Sequence, residues 1–266
     1  MHESDPRHCA HLRAVIALLA AAPSSRLLST RHLCASLIPA APTCVMANVA
    51  LLTDVNRVAD AVSKLRAADG FRHSVWVPAT LTQPASTTAL WEFGYEQVSV
   101  LPGMTVQLSE LTTGPVPAHF TASRSSTALA HLARINAVAR PDAKDLPSAW
   151  TLPDSRLPDT LGVHLAWEGD QPVSGFLTLY SGSDCIVAYV ATLPPARRRG
   201  HTAALLRAAL RDAARDGLRT STIRAERHAV PTYEGVGYRR DHSFVLYRLP
   251  PAFDARRTRD RREAPR

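Results

Sequence analysis

Residues 190–206 read VATLPPARRRGHTAALL, and their pattern decides the architecture of the second half of the chain. A run of small and β-branched residues is followed by Pro194 and Pro195, by three arginines that precede Gly200, and by a strongly apolar stretch. This succession predicts a strand, a turn and a helix that begins close to Gly200.

The start of this helix is suited to an anion. The first N–H groups of a helix have no partner within it and lie at the positive end of its dipole. Gly200 lets the backbone approach a phosphate closely, and Arg197, Arg198 and Arg199 add positive charge. An ordinary strand-to-helix turn with solvated arginines has the same pattern, so this segment alone leaves both interpretations open.

The flanking residues continue the pattern as a regular series of elements. Alternating apolar runs between turn signals predict strands over residues 163–167, 173–180, 186–193, 220–225 and 244–249. Helical periodicity predicts helices over residues 126–138, 202–216 and 230–236, with Gly217 ending the second. Together they predict an α/β fold of the α+β kind: a mixed, mostly antiparallel central sheet flanked by helices.

A second motif, YEGVGY at residues 233–238, lies about thirty residues downstream. The two segments together resemble the GNAT superfamily of N-acetyltransferases, and the resemblance covers about half of the chain. The family's cofactor motif, R/Q-x-x-G-x-G/A followed by small and aliphatic residues, is matched by Arg197, Gly200 and residues 204–206. Thr202 stands where the family has a small Gly or Ala. Residues 233–238 are similar to the family's Y-E-x-x-G-F element.

The resemblance implies acetyl-CoA as cosubstrate, no metal, and a site built mainly from backbone. The helix start would hold the pyrophosphate, and the preceding strand would pair with the pantetheine arm. The implied cofactor-binding residues are Val190, Ala191, Thr192, Arg197, Arg198, Arg199, Gly200, His201, Thr202 and Ala203. The β-branched side chain of Thr202 is expected to narrow the approach of the cofactor, which leaves room for a weakened site.

Tyr233 is the catalytic residue that the resemblance implies, as the acid that protonates the departing CoA thiolate. A phenol with an ordinary pKa near ~10 carries its proton at neutral pH. A core aromatic residue is the alternative interpretation. For the general base we favour Glu226, with Asp184 and His228 as alternatives, although all three residue types are also common on surfaces.

The first half predicts a mixture of strands and helices. Residues 46–52 and 74–77 are strand-like, 56–68 helix-like, and 98–108 strand-like with an interruption at Pro102 and Gly103. Residues 90–95, LWEFGY, repeat the pattern of 233–238 with Leu90 in place of Tyr233, and no Arg-x-x-Gly helix start precedes them. We interpret this half as a degenerate GNAT-like partner that lacks the usual cofactor site; chance similarity is the alternative. The predicted division is 1–113, 117–250 and a basic disordered tail at 251–266.

Composition excludes several classes of protein. The net charge is +8, but lysine occurs only at Lys64 and Lys144, and the arginines form no patterned basic face. We therefore expect no specific nucleic-acid partner. The four cysteines have neither zinc-finger nor C-x-x-C spacing, so we expect no metal site and no disulfide framework.

Residues 14–22, AVIALLAAA, have the length of a signal-peptide core but are too short to span a bilayer. Because Glu3 and Asp5 stand where a basic region would be, we expect an amphipathic helix, a cytoplasmic protein and no membrane contact.

The resemblance predicts an N-acetyltransferase that moves the acetyl group of acetyl-CoA to a primary amine by direct attack within a ternary complex. The acceptor would be a small molecule or a peptide, and a homodimer is compatible with the sequence. The alternative is a catalytically weak GNAT-like protein that binds an acyl-CoA or a protein partner.

Overall fold

All strands of the structure lie in one sheet. The structure is a computed structural model that describes residues 6–67, 71–82, 84–112, 114 and 119–250. The first half contains α1 (Pro6–Ala20), β1 (Arg26–Ser29), β2 (Leu33–Leu37), β3 (Val49–Leu52), α2 (Val58–Arg66), β4 (Ser74–Pro78), α3 (Pro84–Glu92) and β5 (Glu96–Gln107). The second half contains β6 (Phe120–Ser123), α4 (Ser126–Ala139), α5 (Leu146–Ala149), β7 (Leu161–Glu168), β8 (Gln171–Ser181), β9 (Asp184–Thr192), α6 (His201–Arg215), β10 (Thr220–Arg224), α7 (Val230–Glu234) and β11 (Arg239–Arg248).

The two halves repeat one succession of elements. In each, a helix precedes two antiparallel strands, a third strand, a second helix, a strand parallel to the third, a short helix and a last strand. Each element of the second half thus has a counterpart in the first: α4 corresponds to α1, β7 to β1, β8 to β2, β9 to β3, α6 to α2, β10 to β4, α7 to α3, and β11 to β5. The second half adds β6 and α5. The predicted mixed, mostly antiparallel sheet is confirmed.

The last strands of the two halves change places. The sheet order is β1-β2-β3-β4-β11-β5-β10-β9-β8-β7-β6, so β11 pairs with β4 of the first half and β5 pairs with β10 of the second. The two exchanged strands also pair with each other, antiparallel, at the centre of the sheet. Neither half therefore has a complete sheet without a strand from the other.

Helices cover both faces of the sheet and bury its apolar side chains. One face, in both halves, is covered by α1, α4 and α5, and their shared core includes Leu12, Leu132 and Phe244. The opposite face is covered by α2 and α3 in the first half and by α6 and α7 in the second. Helix α6 buries Leu205, Leu206 and Leu210 against the strands, and the chain leaves it through Gly217, which has φ +89°.

Some predicted boundaries differ from the observed ones. Strand β5 runs without interruption through Pro102 and Gly103, and the irregularity falls on its partner as a bulge at Asp241. Gly103 is needed there because a Cβ atom would lie 2.9 Å from ring atoms of His8. The segment 14–22 contributes to helix α1, whose Leu12 and Ile16 are fully buried.

No helix in the described part of the chain is both long and apolar enough to cross a membrane. The predicted tail at 251–266 and the predicted linker residues Pro115 and Pro117 lie outside the described residues. The division into 1–113, 117–250 and a tail stays a prediction.

Because each half contributes a central strand to the other, we predict that the chain unfolds in one transition. Phe244 of β11 is fully buried and packs edge-on against Trp76 of β4, with ring centroids 6.2 Å apart. Phe244→Ala should lower the free energy of unfolding by about 3–5 kcal/mol. The unfolding transition followed by far-ultraviolet circular dichroism and the one followed by tryptophan fluorescence should coincide, and the substitution should displace both by the same amount. Val138→Ala, at an exposed site, should change stability by about 0.5 kcal/mol at most. Two separate transitions, with only one displaced by Phe244→Ala, would contradict this coupling.

Candidate active site

A cleft opens where β9 and β10 diverge. The two strands run parallel and are paired from Asp184–Thr220 to Val187–Ile223. Beyond this point β9 continues to Thr192 without β10 beside it. The edge of β9 that faces away from β8 has no neighbouring strand from residue 188 onward among the described residues. A cavity of about 830 Å³ begins at this divergence and reaches the first turn of α6 and helix α7. Such a free strand edge can pair with an extended ligand.

Tyr189 creates the divergence. It has φ +56°, and the register between β8 and β9 shifts at this point, so that β9 bulges. Its carbonyl oxygen accepts a hydrogen bond from Asn136 Nδ2 at 3.0 Å, and its hydroxyl donates to the carbonyl of Met46 at 2.7 Å. The Trp150 ring packs edge-on against it at 4.6 Å. A left-handed tyrosine costs roughly 1–3 kcal/mol, and these contacts hold it in place.

The first turn of α6 presents free backbone donors to the cavity. Gly200 precedes the helix with φ +80°, and the first helical hydrogen bond runs from Ala204 N–H to the Gly200 carbonyl. The N–H groups of residues 201–203 consequently have no helical partner. A Cβ atom on Gly200 would meet no atom within 4 Å, so glycine is required here by the backbone conformation and not by crowding.

The predicted arginines separate into different roles. Arg197 donates to the carbonyls of Thr192 and Ala139, both at 3.2 Å, and so ties the loop to β9 and α4. Arg199 donates to both carboxylate oxygens of Glu168 at 3.0 Å, and His201 bonds to the same carboxylate at 2.8 Å. These contacts, led by the hydrogen bond from His201, hold the pKa of Glu168 below its usual value.

Nine of the ten predicted cofactor residues line the cavity. The exception is Arg199, whose side chain is directed to Glu168. Arg198 lines the cavity, is exposed, and has no bonding partner among the described residues. Of the three arginines, Arg198 is therefore the one available to an anion at the helix start.

The side chain of Thr202 points to the sheet. Its hydroxyl lies 3.0 Å from Thr192 Oγ1 and 3.4 Å from Ser174 Oγ, and these last two oxygens are 2.8 Å apart. The cluster fastens the first turn of α6 to β8 and β9. Because Thr202 also lines the cavity, the expected narrowing of the cofactor approach stays a prediction.

Tyr233 lies on α7 at the cavity wall, and only 4% of its surface is exposed. Its hydroxyl bonds to no described residue, and burial raises the pKa of Tyr233 above its usual value. The chain then turns through Gly237, φ +113°, to Tyr238, whose ring packs against Tyr233 at 6.1 Å. Tyr238 is buried, with its hydroxyl 2.7 Å from Ser221 Oγ. Tyr233 is thus a largely buried, neutral phenol in the lining of the cavity.

The sequence of residues 156–245 matches the family model described as "Acetyltransferase (GNAT) domain". This part of the chain is a GNAT domain. No protein with a curated description matches the sequence.

Solved structures share the fold over nearly the whole chain. A GCN5-related N-acetyltransferase from Kribbella flavida is 22% identical, with a TM-score of 0.64, and the match covers 93% of this chain and 98% of that chain. A second one, from Sphaerobacter thermophilus, is 15% identical with a TM-score of 0.54, covering 92% and 95%. A tandem GNAT protein from the clavulanic acid biosynthesis pathway is 10% identical with a TM-score of 0.53, covering 93% and 97%. At these identities the likeness establishes the fold.

Residues 90–95 of the first half repeat the backbone turn of residues 233–238, but they lack the tyrosine hydroxyl. The N–H of Tyr95 donates to the carbonyl of Leu90 at 3.0 Å, just as Tyr238 donates to Tyr233 at 3.1 Å. Leu90, at the position of Tyr233, is buried and has no proton to give. Helix α2, which corresponds to α6, begins after Arg57 and not after a left-handed glycine. The comparison of the halves supports the interpretation of a degenerate repeat.

The structure distinguishes among the three candidate bases of the GNAT domain. Glu226 lines the cavity, pairs with Arg140 and lies 3.5 Å from His228 Nδ1. His228 also lines the cavity, but its side chain is 79% exposed. Asp184 is buried at the closed end of β9 and accepts hydrogen bonds from the hydroxyls of Thr220 and Thr222 at 2.7 and 2.6 Å. Asp184 therefore stabilises the strand pair and does not line the cavity.

Sequence reasoning missed three residues that shape the cleft: Tyr189, Asn136 and Arg224. Strand alternation could place Arg224 on the sheet face opposite Ile223, since the two are consecutive in β10. No local signal marks the left-handed backbone of Tyr189. The bond from Asn136 to it joins residues 53 positions apart, beyond the reach of any motif.

Asn136→Asp tests whether the bulge depends on this amide. Asn136 Nδ2 donates to the carbonyls of Leu132 and Tyr189, and an aspartate would place an acceptor against both. Burial beside two carbonyls would raise the folded-state pKa of the new carboxyl above its unfolded value near ~3.9. The variant should lose about 1–3 kcal/mol of stability, and the loss should grow as pH rises above about 4.

Melting temperatures at pH 5 and pH 8 measure this effect. The matched control is Gln171→Glu, the same change of amide to acid at an exposed strand end. An Asn136→Asp protein that melts like the wild type at both pH values would show that the amide does not hold Tyr189.

Proposed function

We propose that the chain is a cytoplasmic N-acetyltransferase that moves the acetyl group of acetyl-CoA to a primary amine by direct attack in a ternary complex. The observation that carries the proposal is the convergence of three features on one cavity: the free edge of β9, the unpaired N–H groups at the start of α6, and the neutral Tyr233. The cytoplasmic location follows from the need for a cytosolic supply of acetyl-CoA.

The donor groups in the cavity are suited to acetyl-CoA. The N–H groups of residues 201–203 and the guanidinium of Arg198 would hold the pyrophosphate, because a helix start favours phosphate. The unpaired backbone of Val190, Ala191 and Thr192 would pair with the amides of the pantetheine arm. This extended arm would lead the thioester toward the point where β9 and β10 diverge, near Tyr233.

The transfer then needs two proton movements. The free amine attacks the thioester carbonyl, forming the C–N bond; the C–S bond breaks as the tetrahedral intermediate collapses. The departing thiolate takes the phenolic proton of Tyr233, and the amide nitrogen releases its extra proton. Glu226 is our candidate to receive that proton, directly or through water, because its carboxylate lies at the cavity wall.

A second candidate function is binding of an acyl-CoA without turnover. The observation that favours it is the ion pair between Glu226 and Arg140, which engages the carboxylate that would otherwise receive the proton. In that case CoA would bind normally while no amine was acetylated.

Gly200→Glu tests the phosphate site. The substitution places an anion where the pyrophosphate would bind, so CoA affinity measured by calorimetry should fall by about 100-fold or more. The matched control is Gly182→Glu in the turn between β8 and β9. Gly182 also has a left-handed backbone, φ +58°, and open space around its Cβ position. Both variants should lose similar stability, about 1–2 kcal/mol, but Gly182→Glu should bind CoA like the wild type. A folded wild-type protein that binds no CoA would refute the proposal.

Tyr233→Phe tests the general acid. The ring keeps its packing, so stability and CoA affinity should change little, while kcat should fall about 100- to 10,000-fold. Because burial raises the pKa of Tyr233 above its usual value near 10, the acid form persists across neutral and mildly alkaline pH. The deficit should therefore stay constant between pH 6 and about pH 9.

The control is Tyr180→Phe, which removes a hydroxyl that bonds to Asp216 outside the cleft at 3.3 Å. It should retain the wild-type kcat. If Tyr233→Phe turns over as fast as the wild type across the same pH range, Tyr233 is a packing residue.

A further inference from the structure

Arg224 lies at the point where strands β9 and β10 diverge and the cleft begins. It is the last residue of β10, directly after Ile223, the residue that forms the final pair with β9. Ile223 packs in the core under α6, so Arg224 faces the opposite side of the sheet, the side covered by α1 and α4. Its side chain lines the cavity there.

The guanidinium of Arg224 is partly enclosed and has no anion among the described residues. Its Nη1 is inaccessible to solvent and bonds to no acceptor, and none of its N–H groups pairs with a carboxylate in the described residues. The guanidinium carbon lies 4.7 Å above the ring of Trp76 from the first half. Burial lowers the pKa of Arg224 to about 10, the direction expected for a cation without a counter-ion.

The other arginines of the cavity differ in this respect. Arg140 pairs with Glu226, Arg248 pairs with Asp142 at 3.0 Å, and Arg197 bonds to two carbonyls. Arg198 and Arg227 have no partner among the described residues, but both are exposed to solvent. A cation that is partly withdrawn from water without a counter-ion is costly to the fold, and such a cost is expected where a ligand supplies the missing charge.

Arg224 is also placed away from the proposed phosphate site. The pyrophosphate would lie at the first turn of α6, whereas Arg224 lies on a strand and on the sheet face that α6 does not cover. The cavity wall beside it comes from the first half and the exchanged strands, through Trp76, Leu101 and Leu246. This wall is the part of the cavity left for the acceptor.

We propose that Arg224 binds a carboxylate of the acceptor, so that the substrate is an amino acid or a related amine with a carboxylate near its nucleophilic nitrogen. The inference rests on the proposed acetyl transfer. The indole of Trp76 packs on one face of the guanidinium, and Nη1 is the guanidinium nitrogen that is inaccessible to solvent. The edge formed by Nε and Nη2 matches the two oxygens of a carboxylate. One partly enclosed cation also balances one negative charge, whereas a phosphate dianion would call for two.

The test compares matched acceptors that either carry or lack the carboxylate charge. The probes are the protein amino acids and the corresponding amino-acid amides, assayed with acetyl-CoA by release of the CoA thiol. The wild-type kcat/KM for the best amino acid should exceed that for its amide about 10- to 100-fold. Arg224→Gln should abolish this ratio, and Arg224→Lys, which keeps the charge but not the fork, should give an intermediate ratio. The KM for acetyl-CoA should change less than about twofold.

Two controls separate a binding role from a structural one. Arg215→Gln removes a charge at an exposed site of the same domain and should keep the wild-type ratio. Melting temperatures should show that both Arg224 variants are folded; if only Arg224→Lys folds, its reduced ratio carries the test. A wild-type protein that treats acids and amides alike overturns the inference, as does an Arg224→Gln protein that slows both series equally.

A binding assay separates this inference from the proposed function. The same probes are titrated against the CoA-saturated protein, and stabilisation is read from the melting temperature. If no amine is acetylated but amino acids bind and Arg224→Gln removes that binding, the acetyl transfer is wrong and the carboxylate site stands. If neutral amines are acetylated and amino acids show no preferential binding, the transferase stands and the carboxylate site is wrong.

Discussion

Strands β5 and β11 lie side by side at the centre of the sheet, each bound on its outer edge to the half that it does not belong to in sequence. This exchange makes the cleft a property of the whole chain. Strand β5, from the first half, closes the β10 edge opposite the divergence, and Trp76, from the same half, covers Arg224. The first half has no left-handed glycine at the start of α2, yet the second half depends on the first. Without β5 the strand β10 would have an unpaired edge, and without Trp76 the Arg224 side of the cavity would be uncovered.

The cleft also depends on the strained backbone of Tyr189. Contacts from three parts of the chain hold it: the amide of Asn136 on α4, the ring of Trp150, and the carbonyl of Met46 in the first half. The Met46 contact crosses from one repeat to the other, so the opening between β9 and β10 is set partly by the docking of the halves. Strain of this kind persists only where surrounding packing determines it, and here that packing uses both repeats.

The sequence predicted the positions of the helices and strands well, but it did not predict which strands pair with each other. Helical periodicity and Gly217 placed α6 within one residue of its observed bounds, and turn signals placed the strands β7 to β9. The strand exchange could not be predicted, because alternation reports which side chains are buried and says nothing about which strand lies alongside. The pairs between β5 and β11 join residues more than a hundred positions apart. Nine of the ten cofactor residues that the resemblance implies around Gly200 line one cavity, whereas Arg199 binds Glu168 at the end of β7.

The structural repeat explains why the guanidinium of Arg224 lies against the indole of Trp76. Tyr95 and Tyr238 are equivalent, and their hydroxyls bond to His73 and Ser221, each three residues before Trp76 and Arg224. Trp76 and Arg224 are therefore equivalent positions on β4 and β10. The exchanged strands β11 and β5 lie between β4 and β10, and the two side chains meet over them. In one repeat this position is aromatic and in the other it is cationic. The structural repeat thus contains an asymmetric pair, in which one half supplies the charge and the other supplies the aromatic surface that packs on it.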